Sequence, residues 1–389
     1  MHSPQDFILA GSVFLLLFFA AFLLSRFKVP YILSFILAGL IGKLIFPTKI
    51  QETFTIFEHL AIVLLFFFIG LEYSFERLIG MKRLLKPGII DFLFNFLPAF
   101  GLSYLFTQNF LFSLAVGAII YPSSTAITAK LLMDYKRLVN PEAEFLIGVL
   151  IFEDLISIIL LSLITGFTLK GSPDAVGLIR GLLALLLVLI LLYIGKGLSE
   201  RFFSYMDRKM EEDLVPFFVL GFLLVSSGIS LSFGLSDALI AFMLGVIVPE
   251  NSRVFGIIEK SLSELKDLSV GVFFFMFTFN SKLSFDFNPW FFIIIVFLSI
   301  ITKFLSTYWG AHLYDIGNRA ALRASLSFLQ RGEFSVIFAS FYEPAQSMAF
   351  LLVLITTLLG SFSFILAPDI SLRVFPRKEK KVPPLVPPS

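Results

Sequence analysis

The 389-residue chain predicts an all-α polytopic membrane protein of about thirteen transmembrane helices. Three observations carry that prediction. The chain is 58% hydrophobic and holds 51 phenylalanines, more apolar surface than a soluble fold could hide. Runs such as Phe7–Leu24, Gly181–Ile194 and Trp290–Ile301 suit spans of about 20 apolar residues each, and they do not alternate as a membrane β-strand would. Lys and Arg are spread unevenly, in a pattern that fits this helix count.

Hydropathy and turn signals place the spans, in order, at about 6–24, 30–46, 54–71, 87–106, 110–133, 142–168, 175–197, 214–231, 235–249, 267–281, 289–311, 319–341 and 345–367. The first follows MHSPQDF, which lacks the basic segment of a secretory signal, so it is read as a retained span. The break between the eighth and ninth (LSFGL, 231–235) decides the count, because losing it gives twelve and inverts everything downstream. With the N-terminus outside, twenty-two of the 30 Lys and Arg fall in cytoplasmic segments. Five fall on the other face: Lys43, Lys49, Lys170, Arg180 and Lys282. Cytoplasmic loops carry such an excess, and inverting the last four spans would spoil it. Residues 251–267 read as a cytoplasmic amphipathic helix between the two halves. The tail 377–389, RKEKKVPPLVPPS, is basic, proline-rich and expected to be disordered.

Composition removes several function classes. With no cysteine there is no disulfide, thiolate metal site or thiol redox chemistry. His2, His59 and His312 are too few and scattered for a metal cluster. No basic stripe suits nucleic acid, and no glycine-rich nucleotide motif occurs, so no cofactor is expected. The transported ions and the bilayer are the expected partners.

The chemistry lies in charges that a bilayer tolerates only inside a helix bundle. VLIFEDLISIIL (Val149–Leu160) carries adjacent carboxylates, Glu153 and Asp154, in mid-span. Neighbours on a helix are about 100° apart, so both can line one oblique cavity. Buried together they repel, and at least one should hold a proton near neutrality and exchange it for a small cation. That is the chemistry of a proton-coupled carrier, with Glu153 either a participant or a spectator beside Asp154. In the fifth span, YPSSTAITAK (Tyr121–Lys130) places a proline before Ser123, Ser124 and Thr125. Proline removes a backbone donor and disfavours helix before it, which predicts an interrupted helix whose free oxygens can face a dehydrated cation. In the twelfth span, SFLQRGEF (Ser327–Phe334) sets Gln330, Arg331 and Glu333 around Gly332, a second break. The three-span units 4–6 and 11–13 run in opposite directions, as in carriers built from inverted repeats. Lys303, deep in the eleventh span, is expected to pair with Asp154 as an internal cation that the arriving ion displaces; a permanent structural pair is the other reading. Asp91 falls nearer a helix end. Lys130 can snorkel, Asp237 can start a helix, and Glu58 with His59 reads as an interfacial pair.

Together these stretches resemble the monovalent cation:proton antiporter-2 family, which includes the Kef-type potassium/proton and Nap-type sodium/proton exchangers. The marks are VPYILSFILAGLIG, LLFFFIGLE, PSSTAITAKLL, FEDLISIILLSL, FGLSDALIAFMLGVIVPE, TKFLSTYWGA and RAALRASLSFLQRGEF, in family order from about 6 to 367. The resemblance implies the sodium/proton antiporter fold: inverted repeats with two broken crossing helices, usually a homodimer, and elevator-like alternating access. It implies a transmembrane domain over 1–376, with a core bundle at about 87–168 and 289–367 and a dimerisation scaffold at about 6–71 and 175–281. It implies exchange of Na⁺ or K⁺ for H⁺ at the cell (inner) membrane, with the C-terminus cytoplasmic, serving pH and cation homeostasis. The family's transport aspartate maps onto Asp154. The preceding residue is Asp in the Nap-type branch and Gln in the Kef-type, whereas here it is Glu153. An acid pair with a lysine resembles the sodium-type electrogenic arrangement, while YPSSTAITAKLL and LQRGEF look equally like potassium-type relatives. Against Kef proteins no C-terminal nucleotide-binding domain is expected, and a separate cytoplasmic regulatory subunit is one candidate partner.

Two other classes compete. A transport-inactive sensor or cation channel on the same fold would not need the acid, hydroxyl and lysine constellation. An intramembrane aspartyl protease would carry a Gly-x-Gly-Asp motif, and none is present.

Overall fold

The computed structural model describes residues 4–26, 31–72, 82–170, 201–232, 236–281 and 287–376, with the side chains at 52, 166 and 168–170 excepted. The described residues contain no strand. In order the helices are α1 (Pro4–Ser25), α2 (Tyr31–Ile45), α3 (Ile50–Glu72), α4 (Lys82–Thr107), α5 (Phe110–Ile120), α6 (Thr125–Asp134) and α7 (Pro141–Lys170). After helical residues at 201–209 they continue with α8 (Val215–Ser232), α9 (Asp237–Ile247), α10 (Arg253–Asn280), α11 (Pro289–Leu313), α12 (Asn318–Leu326), α13 (Glu333–Ser340) and α14 (Gln346–Val374). Among the described residues, eight helical stretches are long and apolar enough to cross a membrane, and two shorter apolar helices, Tyr31–Ile45 and Asp237–Ile247, accompany them.

Every predicted span but one falls on a described helix. The seventh (175–197), the centre of the 231–235 break and the tail 377–389 lie outside the described residues. One boundary is corrected. Residues 251–267 do not form a separate helix before the tenth span; α10 runs unbroken from Arg253 to Asn280. Ser252 caps it, accepting from Phe255 N at 3.1 Å, and the polar first half passes into the run VGVFFFMF with no glycine-proline stop between them.

In lipid the surroundings are as apolar as the side chains, so helices associate through close packing. A Cβ at Gly70 would fall on the Phe242 carbonyl, and one at Gly245 on the Phe67 carbonyl. The two glycines therefore let the α3 and α9 backbones touch. α10 packs on α2 and α3, and α1 on α2. On the other side α4 packs against α5 and α11, and α12 against α11 and α14. The two groups meet where the Phe66 ring of α3 stands edge-on to Phe334 of α13, 5.6 Å between centroids.

Candidate functional site

Both predicted interruptions are present, and they cross. α5 stops at Ile120, residues 121–124 are non-helical, and α6 starts at Thr125 with Ser124, in extended backbone, as its cap. α12 stops at Leu326 and α13 starts at Glu333, leaving 327–332 unwound. Unwound backbone survives at membrane depth only if its polar groups find partners. Here each break supplies the other. Ser124 N donates to the Gln330 carbonyl at 3.0 Å, and Ser335 Oγ donates to the Ile119 carbonyl at 2.7 Å. Gly332 lies against Ser124, where a Cβ would have no room.

The four half-helices put partial charges at the crossing. Glu333 answers the positive ends. Its Oε2 accepts from Ser124 Oγ at 2.7 Å and its Oε1 from Ala126 N at 3.2 Å, at the start of α6, while the residue itself opens α13. The negative end of α5 is answered by cations. The Tyr121 carbonyl accepts from Lys303 Nζ at 2.9 Å and from Arg331 Nη1 at 3.4 Å. Arg331 is fully buried and also donates to the Ser299 carbonyl at 2.8 Å and to Asn95 Oδ1 at 3.4 Å. Gln330 turns back on its own segment, Nε2 donating to the Ser327 carbonyl at 3.2 Å.

The acid pair divides its work. Glu153, fully buried, accepts from Ser123 N and from Lys303 Nζ at 3.0 Å. Asp154, 4% exposed, is met by Thr125 Oγ1 at 3.4 Å from both carboxylate oxygens. The three hydroxyls predicted as a group are thus shared among three acids: Ser123 with Glu153, Ser124 with Glu333, Thr125 with Asp154. Thr128 and Ser157, each one turn along from Thr125 or Asp154, carry buried hydroxyls with no hydrogen-bond partner among the described residues. Unpartnered buried oxygens beside a carboxylate suit a dehydrated monovalent cation.

The expected pairing of Lys303 with Asp154 is corrected. Lys303 Nζ sits 2.9 Å from Asp91 Oδ2 and 3.0 Å from Glu153 Oε1, with all three side chains buried. The reason lies in α4, which begins at Lys82 and runs through Pro87, so Asp91 stands more than two turns inside rather than near an end. There it is locked: Ser306 Oγ donates to it at 2.7 Å and Asn95 Nδ2 at 3.0 Å. Asn95 in turn accepts from Thr302 Oγ1 at 3.1 Å. The sequence held a signal for this, since Asp91 and Asn95 share one face of an apolar helix.

A second buried network was also missed. Glu142, fully buried at the start of α7, lies between Arg137 Nη2 at 3.2 Å and Arg323. Arg137 further donates to Ser327 Oγ at 2.9 Å and to the Phe364 carbonyl at 3.1 Å, tying the second break to α14. Burial pushes the Arg137 guanidinium below its ordinary pKa, and Glu142 opposes that shift. Lys130 lies apart, paired with Asp134 at 3.4 Å and a third exposed. Asp237 opens α9, and Glu58 accepts from Asn280 at 3.2 Å.

Two interrupted helices crossing beside buried carboxylates narrow the comparison with known proteins. Residues 13–369 match the family described as sodium/hydrogen exchanger, transmembrane. The chain belongs to this family. It is a multi-pass membrane protein of a transporter family. It is 32% identical over 382 residues to the ammonium/H⁺ antiporter subunit AmhT of Alkalihalophilus pseudofirmus, covering 95% of each chain. It is 29% identical to the K⁺/H⁺ antiporter subunit KhtU of Bacillus subtilis, covering 90% of each. It is 28% identical to a glutathione-regulated potassium-efflux system protein of Haemophilus influenzae, of which it spans 53%. The structure of the sodium proton antiporter MjNhaP1 from Methanocaldococcus jannaschii shares its fold, with a TM-score of 0.67 at 18% identity over 95% of this chain and 99% of that one.

Proposed function

We propose that the protein is a secondary active antiporter that exchanges a monovalent cation for protons by alternating access. The observation that carries this reading is Asp154 beside the crossing of the two breaks, with Thr125 Oγ1 against its carboxylate and two unpartnered hydroxyls one turn away. Asp154 binds either a proton or a cation, with Thr125 and the nearby hydroxyls replacing part of the cation's water. Coupling follows from electrostatics. A charged side chain at the bilayer centre costs at least about 2.5–3.5 kcal/mol, so a carrier with bare Asp154 is penalised against crossing. Loaded with H⁺ or a cation, it crosses freely. Glu153, Ser123 and Ser124 shape the first break, while Gln330, Arg331 and Glu333 shape the second.

In this reading α4–α7 and α11–α14 form the moving core (about 87–168 and 289–367). The segments at about 6–71 and 175–281 form the scaffold and the homodimer contact. The Lys/Arg bias supports an outside N-terminus and a cytoplasmic C-terminus in a cell (inner) membrane. Two relatives are named for ammonium or K⁺ and the structural neighbour for sodium. We therefore take Na⁺, K⁺ and NH₄⁺ as the candidate cations. Both of those relatives are named as subunits, which favours a separate cytoplasmic partner here.

The test is a proteoliposome assay with an acid lumen, following lumenal pH as Na⁺, K⁺, Li⁺ or NH₄⁺ is added outside. A cation-specific alkalinisation is expected, and Asp154→Asn should abolish it while the protein elutes normally on size exclusion. Normal exchange in that variant would overturn the assignment; no response to any cation in folded wild type would favour the sensor or channel reading.

A further inference from the structure

On the antiporter reading above, with its division into core and scaffold, we infer that Lys130 and Tyr31 form a latch across the cleft between the two bodies. The contact holds the carrier in the arrangement of this structure and parts in every cycle of exchange. Lys130 lies on α6 of the core, and Tyr31 opens α2 of the scaffold. The Lys130 ammonium stands over the Tyr31 ring, 5.8 Å from its centroid.

The half-helices on the two sides of the crossing differ in what they leave open. α5 is buried from Ser113 to Ile120 and α13 from Glu333 to Ala339. α6 is buried on one side only. Ile127, Thr128, Leu131 and Leu132 face the bundle, while Thr125, Ala126, Ala129, Lys130, Met133 and Asp134 keep exposed surface. At about 100° per residue the two sets occupy opposite halves of the helix. The exposed half begins at Thr125, whose hydroxyl meets Asp154, and ends at Asp134. It carries a lysine and an aspartate, charges that lipid does not take at membrane depth, so it borders water rather than acyl chains. It is therefore one wall of a passage between the Asp154 site and the face read as cytoplasmic.

Lys130 stands in that passage, about 7.5 Å along the helix axis from Thr125. Asp134, one turn further on, steadies the ammonium at 3.4 Å. A lysine that only snorkelled would end in water. This one reaches off its own helix to a ring on α2, and so joins two bodies that slide past one another in alternating access. Such a contact is made in one orientation of the carrier and lost in the other. Both side chains are partly exposed, and a cation–π contact in that setting shifts a rate or a population about two- to fivefold. The latch is thus a brake on departure from this orientation rather than a lock.

The experiment measures exchange by the full chain in proteoliposomes at saturating cation. Tyr31→Leu and Lys130→Met should each run about two- to fivefold faster than wild type, and the double variant should be no faster than either, because both remove the same contact. Tyr31→Phe keeps the ring and Lys130→Arg keeps the cation, so both should run at the wild-type rate. Unchanged or slower exchange in the two single variants, or additive effects in the double, overturns the latch. A second arm uses the absence of native cysteine. Tyr31→Cys with Lys130→Cys supplies the only two thiols in the chain. Joining them with a reducible bifunctional reagent should stop exchange, and reduction should restore it, while either single-cysteine variant treated alike keeps exchanging. Full exchange in the joined protein, or failure of the pair to join, overturns the latch and leaves the antiporter reading standing. Absence of exchange by untreated wild type with every cation overturns the antiporter reading instead.

Discussion

Gly332→Ala should disable exchange through the crossing of the two breaks, and a compensating change should restore it. At Gly332 an added Cβ would overlap the Ser124 Cβ and Oγ and lie 3.0 Å from Ser124 Cα. Neither neighbour can yield easily. Ser124 is fully buried, its N is bound to the Gln330 carbonyl at 3.0 Å, and its Oγ is bound to Glu333 at 2.7 Å. Overpacking of this kind costs about 1–3 kcal/mol. If that strain is relieved by parting the two segments, the productive crossing is depopulated about five- to 150-fold. Initial rates of cation-driven pH change in proteoliposomes should fall by a similar factor, with the apparent cation affinity measured alongside. Ser124→Gly removes the obstructing atoms but forfeits the bond to Glu333, so alone it should slow exchange modestly. Combined with Gly332→Ala it should be faster than Gly332→Ala alone. Wild-type rates in Gly332→Ala, or a double variant no better than the single, would refute the claim that this contact sets the crossing.

Glu142→Gln leaves Arg137 and Arg323 buried without their shared carboxylate, and removing one partner of a buried pair costs about 3–5 kcal/mol, so detergent-solubilised protein should melt at a distinctly lower temperature than wild type. An unchanged melting temperature would show that the network is not structural. Gly70→Leu should part α3 from α9, because the Phe242 carbonyl occupies the space its side chain needs, and the yield of monodisperse protein should collapse relative to Gly101→Leu, where nothing lies within 4 Å. Ser335→Ala removes one side-chain bond to the Ile119 carbonyl and should cost only about 1 kcal/mol, visible as a small melting shift with exchange retained.

The parts of the site that could be read from the sequence are those where local chemistry and tertiary role coincide. Pro87 and Pro98 are carried inside α4, so a proline alone does not mark a break; Pro122 and Gly332 stand out because the polar residues beside them need partners at membrane depth whatever the fold. The pair Glu153–Asp154 is conspicuous for the same reason. Asp91 was hidden because its importance depends on two things a single stretch does not display. One is a helix start at Lys82, ahead of the apolar run, which carries Asp91 inward. The other is the packing of α4 on α11, which brings Ser306 and Lys303 to it. Glu142 was hidden differently. Near a predicted span end it reads as a solvated acid, and only the packing of α12 on α7, which brings Arg323 to it, takes it out of water.

The same contrast explains why the choice of partner for Lys303 could not be made from composition. Four acids lie at the crossing, Asp91, Glu153, Asp154 and Glu333, and sequence spacing ranks none above the others. Geometry does. Glu153 and Asp154 are neighbours on α7 and point about 100° apart, so a lysine entering from α11 can face only one of them squarely. The face it meets is that of Glu153, and on the same side α4 presents Asp91. The lysine is therefore shared between two acids, Asp91 and Glu153. Glu153, the residue that departs from both branches of the resembling family, is thereby the acid of the pair that meets the lysine. Its longer side chain reaches the ammonium and the Ser123 amide together, and the shorter Asp154 is left facing Thr125.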